Sequence, residues 1–191
     1  MRLNCNINGS QYSLVVNSDK PLSNILNEQI ATFAENSACA GASCGNCIVL
    51  INGNAALSCL VPAFRLNGAS ILTFEGFQKT RFCHDIERAY ETTGNQPCPQ
   101  CYPSKTIIIE SILNKMDKEN RNKISGFAGN TANPEANEQA ARSRSGSGAI
   151  SSEMIAREMS MSGCQCIEIS DLEKIVNLAY KFRSRRSARR S

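Results

Sequence analysis

The sequence predicts an α+β protein in which a small sheet wrapped on one helix precedes a small helical bundle. Three observations carry this. Through residue 75 or so, short runs alternate apolar and polar positions and are closed by turn-forming Asn-Gly pairs. One stretch within them, "DKPLSNILNEQIATF", instead spaces its apolar residues at helical intervals. Beyond residue 79 the apolar positions recur mainly at helical spacing.

The elements follow in order. Leu3, Cys5 and Ile7 alternate with polar residues, Asn8-Gly9 turns the chain, and Tyr12, Leu14 and Val16 resume the alternation, which is a hairpin signal. Cys5 is then a core residue. A helix with Pro21 in its first turn carries Leu22, Ile25, Leu26, Ile30 and Phe33 on one face. After a cysteine-bearing loop come "CIVLI", Asn52-Gly53, "NAALSC" and "ASILTFEG", read as further strands. In the second half, Phe82, Ile86, Ala89 and Tyr90 share a helical face that Gly94 ends. Ile109, Ile112, Leu113 and Met116 form another stripe, although "TIII" by itself also reads as a strand. Residues 117–150 are polar and rich in Gly, Ser and Asn, the composition of a mobile linker. A helix with Met154, Ile155 and Met159 follows. The last helix is expected to begin at Ser170, which forms a capping box with Glu173 ahead of Leu172, Ile175, Val176 and Ala179. Four short helices make a small bundle. The expected organisation is a first domain over 1–78, a helical bundle over 79–180 with a flexible insertion at 117–150, and a basic tail over 181–191.

Composition narrows the function classes. The chain has 191 residues, 41% of them hydrophobic, enough to bury a core. Its longest apolar runs fall far short of the ~20 residues a membrane span needs, and Met1 leads into an alternating segment with no signal-peptide pattern. The expectation is a cytoplasmic protein, complete from its first residue. The net charge of +4 comes from the tail "KFRSRRSARRS", which holds six cations and no acid. Without those six, 15 basic side chains face 17 acidic ones. Such a tail docks on RNA or an acidic partner, or is simply a solvated, disordered end; no nucleic-acid motif accompanies it, which favours the second.

Ten cysteines dominate the chemistry. In a reducing compartment thiols at this density bind metal or do redox work more readily than they form structural disulfides. Cys39, Cys44 and Cys47 are spaced C-x4-C-x2-C, and Cys59 follows after eleven residues. That is the spacing of a plant-type [2Fe-2S] site. Gly41 and Gly45 let the backbone N–H groups approach the cluster's sulfides. A four-thiolate structural zinc is the competing reading, and zinc sites favour paired C-x2-C knuckles. A second set, "PCPQC" and "GCQC", places Cys98, Cys101, Cys164 and Cys166 each just before a predicted helix, whose N-terminal N–H groups favour an anionic centre. Here spacing leaves iron–sulfur and zinc open.

The order of these features resembles the small iron–sulfur subunit of the molybdenum hydroxylases, the xanthine dehydrogenase and aldehyde oxidoreductase type. "NCNINGSQYSLVVNSDKPLSNIL", "CAGASCGNCIVLING", "LSCLVPAFRLNGASILTFEG", "HDIERAYETTGNQPCPQCYP" and "MSGCQCIEI" each have a counterpart there; residues 117–150 do not. The resemblance implies a β-grasp ferredoxin-like domain followed by a four-helix bundle, each with one [2Fe-2S] cluster held by the cysteines above. It also implies a large molybdopterin-binding subunit and an FAD-binding subunit as partners, so that this chain conducts electrons and performs no bond chemistry itself. The family's usual Gln-Cys-Gly-x-Cys-x-Pro-Gly, whose Gln contacts the pterin, is altered: Pro97 takes the Gln position, Gln96 stands one place earlier, and Pro99 and Ser104 replace the glycines. The usual Cys-Arg-Cys-Thr-Gly-Tyr becomes "CQCIEI". A free-standing two-cluster ferredoxin and a zinc-stapled binding module are the competing functions.

The remaining candidates are weaker. A single histidine, His84, excludes a two-histidine Rieske centre and reads as a surface residue. Cys83 is either reactive near a helix N-terminus or a small packing residue, the second favoured. Met154, Met159 and Met161 read as bundle packing. Gly-rich phosphate loops are absent, so FAD or NAD binding by this chain alone is not expected.

Overall fold

The computed structural model describes residues 1–29, 44–127 and 152–188. Ile30, Phe33, Cys39 and Gly41, and the insertion from residue 128 to 150, lie outside them.

Among the described residues, five strands form one sheet: β1 (Arg2–Ile7), β2 (Ser10–Val15), β3 (Ile48–Ile51), β4 (Asn54–Leu57) and β5 (Ser70–Leu72), in the order β2-β1-β5-β3-β4. β1 and β5 run parallel, with Ile7 opposite Ile71; the other neighbours are antiparallel. Both hairpins turn on Asn-Gly with positive φ at each residue, Asn8 at 52° and Gly9 at 88°, Asn52 at 52° and Gly53 at 82°. This is the turn whose twist matches that of the flanking strands.

Two cores share the sheet. On one face, Leu22, Ile25 and Leu26 of α1 (Leu22–Gln29) pack on Leu3, Cys5, Ile7, Val49 and Ile71. Cys5 is buried there, as its alternation implies. The other face meets the helices. Because side chains alternate along a strand, β3 sends Val49 to the first core while Ile48 and Leu50 join Ile108, Ile112 and Leu113 in the second.

The helical part comprises the one-turn α2 (Phe74–Phe77), then α3 (Arg81–Thr93), α4 (Tyr102–Phe127), α5 (Ser152–Met159) and α6 (Ile169–Ala188). Gly94 ends α3 in the left-handed conformation, and "TIII" lies inside α4. Met159 is buried and Met161 packs against the same core.

Three sequence expectations are corrected. The linker does not begin at residue 117: α4 continues to Phe127, anchored by Asp117 to Arg183 and by the Asn120 amide to the Tyr180 hydroxyl. The last helix begins before the Ser170–Glu173 box. The Glu168 carbonyl accepts from Asp171 and Leu172 N–H and so opens the helix, with Ser170 already inside it. The tail from residue 181 is no disordered end through Ala188 but the close of α6, with Arg183 buried in a pair with Glu110 and Arg186 2.6 Å from Asp85. Their guanidinium groups also lie 4.7 and 5.1 Å from the Phe82 ring centre, a geometry that recovers part of the cost of removing a charge from water. Two of the four main helices are therefore long, 26 and 20 residues. Among the described residues, no helix is long and apolar enough to cross a membrane.

Candidate metal centre

Among the described residues, the strongest convergence of ligand chemistry lies at one end of the helices. Cys98 and Cys101 form a tight turn into α4, in which the Cys98 carbonyl accepts the N–H of both Cys101 and Tyr102 at 2.9 Å. Cys164 and Cys166 sit on the connection between α5 and α6. The four sulfurs all lie within 4.8 Å of one another, although 62 residues separate the two pairs in sequence. Cys101 is buried, Cys98 and Cys164 are half-buried and Cys166 is exposed.

The surroundings suit a thiolate-bound centre. The Cys98 N–H points at the Cys166 sulfur, 3.5 Å away, the kind of bond that offsets negative charge on a ligated sulfur. The Cys98 thiol is pulled below its ordinary range, first by the Cys101 backbone N–H and then by the neighbouring thiols. Burial pushes Cys101 up to about 12, with the adjacent thiols adding to the effect. Burial likewise raises Cys166, against the N–H of Cys98 and the charge of Lys105. A metal cation placed among these sulfurs would draw them into the thiolate form as it binds. The donor set, its spacing and the N–H bond fit a [2Fe-2S] cluster, and equally a tetrahedral metal.

The altered positions take definite places. Gln96 is exposed on the loop before Cys98, while Pro97 is buried. Ser104 is buried, and its hydroxyl donates to the Cys101 carbonyl at 3.1 Å. Lys105 was not singled out by the sequence reading. It stands four residues before Ile109 on the same helical stripe, which was the available signal. Its side chain is buried, and its ammonium donates to the Cys164 carbonyl at 2.8 Å.

Of the first cysteine set, Cys39 and Gly41 are outside the described residues. Cys44 is exposed just ahead of β3, Cys47 is buried, and Cys59 is half-buried in the helical turn after β4. The Ser58 N–H donates to the Cys47 carbonyl at 3.1 Å, which ties the Cys59 turn to the loop. Gly45 has φ +70° and no room for a side chain: a Cβ would lie 2.6 Å from the Met161 carbonyl oxygen and 2.7 Å from the Ser162 Cα. The loop of the first set therefore rests directly on the backbone that leads into Cys164.

The two lone candidates behave as packing and surface residues. Cys83 is fully buried in α3, and burial together with Glu87 pushes its thiol up to about 12, far from reactive. His84 is exposed and pairs with Glu87 at 3.0 Å.

No family model matches the sequence. The chain is 34% identical over 113 residues to the xanthine dehydrogenase iron-sulfur-binding subunit of Escherichia coli O157:H7, an alignment covering 59% of this chain and 70% of that one. It is 26% identical over 113 residues to the nicotinate dehydrogenase small FeS subunit of Eubacterium barkeri, covering 59% and 72%. Among solved structures, a chain of quinoline 2-oxidoreductase from Pseudomonas putida 86 superposes with a TM-score of 0.59 at 22% identity, covering all of this chain and 97% of that one. Aldehyde oxidoreductase from Desulfovibrio gigas superposes with a TM-score of 0.65 at 19% identity over 97% of this chain, but only 17% of its own length. At those identities the structures speak for the fold, and the curated relatives for the family. The chain belongs to the small iron–sulfur subunits of the molybdenum hydroxylases, the xanthine dehydrogenase and aldehyde oxidoreductase type.

Proposed function

We propose that Cys39, Cys44, Cys47 and Cys59 hold one [2Fe-2S] cluster within residues 1–78, and that Cys98, Cys101, Cys164 and Cys166 hold a second within the helical part, residues 79–180. Bound there, each cluster supplies one-electron acceptance and release, so that the chain conducts electrons from a large molybdopterin-binding subunit to an FAD-binding subunit, in the cytoplasm. The convergence of four sulfurs within 4.8 Å carries this reading. The contact of Gly45 with the backbone before Cys164 supports a short route between the two cysteine sets. Gly41 and Gly45 are assigned to close approach of the first loop to its cluster, and Gln96 to whatever contact with the pterin survives the altered sequence around it. The chain's own residues bind, orient and shield; no substrate-converting step falls to them.

The test is iron and acid-labile sulfide analysis of anaerobically purified protein, with EPR after dithionite reduction. About four irons and two distinct signals are expected. Cys98→Ser or Cys164→Ser should lower iron to about two and remove one signal. Unchanged iron in those variants, or zinc in the second site of the parent protein, overturns the assignment of the second cluster.

A further inference from the structure

Lys105 presents an unusual arrangement. Its backbone N–H bonds the Cys101 carbonyl in the first turn of α4, and its side chain runs buried to the Cys164 carbonyl, where the ammonium donates at 2.8 Å. A lysine head this deep is costly unless a negative charge faces it. Among the described residues, no carboxylate lies within ion-pairing distance of it, although the other buried cation, Arg183, has both Glu110 and Asp117. The four cysteines gather at that end of α4, and Lys105 is bonded to the backbone of two of them, Cys101 through its N–H and Cys164 through its ammonium.

We propose that Lys105 is the built-in counter-ion of the four-cysteine site and holds the reduction potential of the centre bound there above that of the same site without the charge. The proposal rests on the reading that this site takes a [2Fe-2S] cluster. Two ferric ions, two sulfides and four thiolates sum to a net charge of about −2, and one added electron takes it to about −3 with no bond made or broken. A fixed positive charge attracts the second state more strongly than the first. In a site partly withdrawn from water that difference is only weakly screened. Lys105 thus favours uptake of the electron, and its bond to the Cys164 carbonyl fixes the distance at which it acts.

The test is a redox titration of the purified full-length protein, with the two EPR signals followed separately; the signal lost in Cys98→Ser identifies the second cluster. Lys105→Met keeps the apolar stem and removes the charge, and Lys105→Arg keeps the charge. We expect Lys105→Met to lower the midpoint of the second signal and leave the first in place, with Lys105→Arg close to the parent. Loss of the second cluster's iron in Lys105→Met but not in Lys105→Arg also supports the counter-ion role. Unchanged midpoints in Lys105→Met with full iron, equal shifts of both signals, or loss of iron in both variants overturn it. A parent protein with about two irons and a zinc fails at a different point: the cluster reading itself is then wrong, whatever Lys105 does.

Discussion

Single residues decide how closely the two cysteine loops meet. Gly45 is held at φ +70° with the Met161 carbonyl and Ser162 Cα where a Cβ would stand. Both neighbours are backbone, so neither yields by a side-chain rotation. Gly68 is a matched control, with φ +75° and nothing within 4 Å of a Cβ. Gly68→Ala should cost about 1 kcal/mol, the ordinary penalty for a left-handed non-glycine residue. Gly45→Ala should cost about 2 kcal/mol or more, because it adds a backbone displacement to that penalty. Thermal unfolding of the two variants beside the parent measures the difference; equal losses would mean that the loops are not in firm contact. The wide spacing of the cysteines hides this packing, since nothing in "CGNC" names residues 161 and 162 as its neighbours.

At the scale of elements, α4 and α6 are joined by buried charge as well as by apolar contact. Glu110 and Arg183 are both nearly removed from solvent, with Asp117 on α4 and Asp85 on α3 adding negative charge nearby. Burial raises the Glu110 carboxyl from its ordinary 4.5 to about 7, outweighing the opposing pull of Arg183. A carboxyl raised in this way binds more protons in the folded than in the unfolded chain between those two values. Its contribution to stability is therefore complete below about 4.5 and is lost as pH rises through about 7. The loss amounts to on the order of 3 kcal/mol. Glu110→Gln should remove that fall, so the parent-minus-variant stability should decline from pH 5 to pH 7.5 in chemical denaturation; a difference that stays flat would show the pair remains ionised throughout. Element identity itself was largely readable. The Asn-Gly hairpins, α1 and the Gly94 stop follow from local chemistry. The start of α6 and the extensions of α4 and α6 do not, because propensity in "DKENRNKISGF" and "KFRSRRSA" is set against the partners each helix finds. Arg183 is one of six tail cations in the sequence, and its partners on another helix, Glu110 and Asp117, make it a core residue.

For the molecule as a whole, β3 is the strand that joins the two cores. Its alternating side chains feed both cores, Val49 on the α1 face and Ile48 and Leu50 on the helical face. Polar bonds reinforce the join: the Ala55 N–H donates to the Ser111 hydroxyl at 2.9 Å, and the Asn114 amide donates to the Gly53 carbonyl at 3.3 Å. A chain with two cysteine sites would unfold in two steps if each half closed its own core. Here the sheet loses one of its two covers when the helices leave. We expect coincident unfolding transitions from far-UV circular dichroism and from hydrogen exchange of β1 and α4 amides. Two separated transitions would instead make the boundary near residue 78 a division between independent folding units.

The sequence by itself determined the family and which thiols are candidates for its chemistry. Eight cysteines in two spaced sets, small residues between the first three, and a hairpin–helix–strand order followed by helical stripes are local or periodic properties, legible without coordinates. The tertiary structure alone decided what those sets have for neighbours. Bringing four sulfurs within 4.8 Å across 62 residues, seating Lys105 beneath Cys164 and laying Gly45 on residues 161 and 162 all depend on long-range packing. Its energy comes from burying α1 and α4 on opposite faces of one sheet. Periodicity tells which face of an element turns inward; it does not tell which other element it meets there.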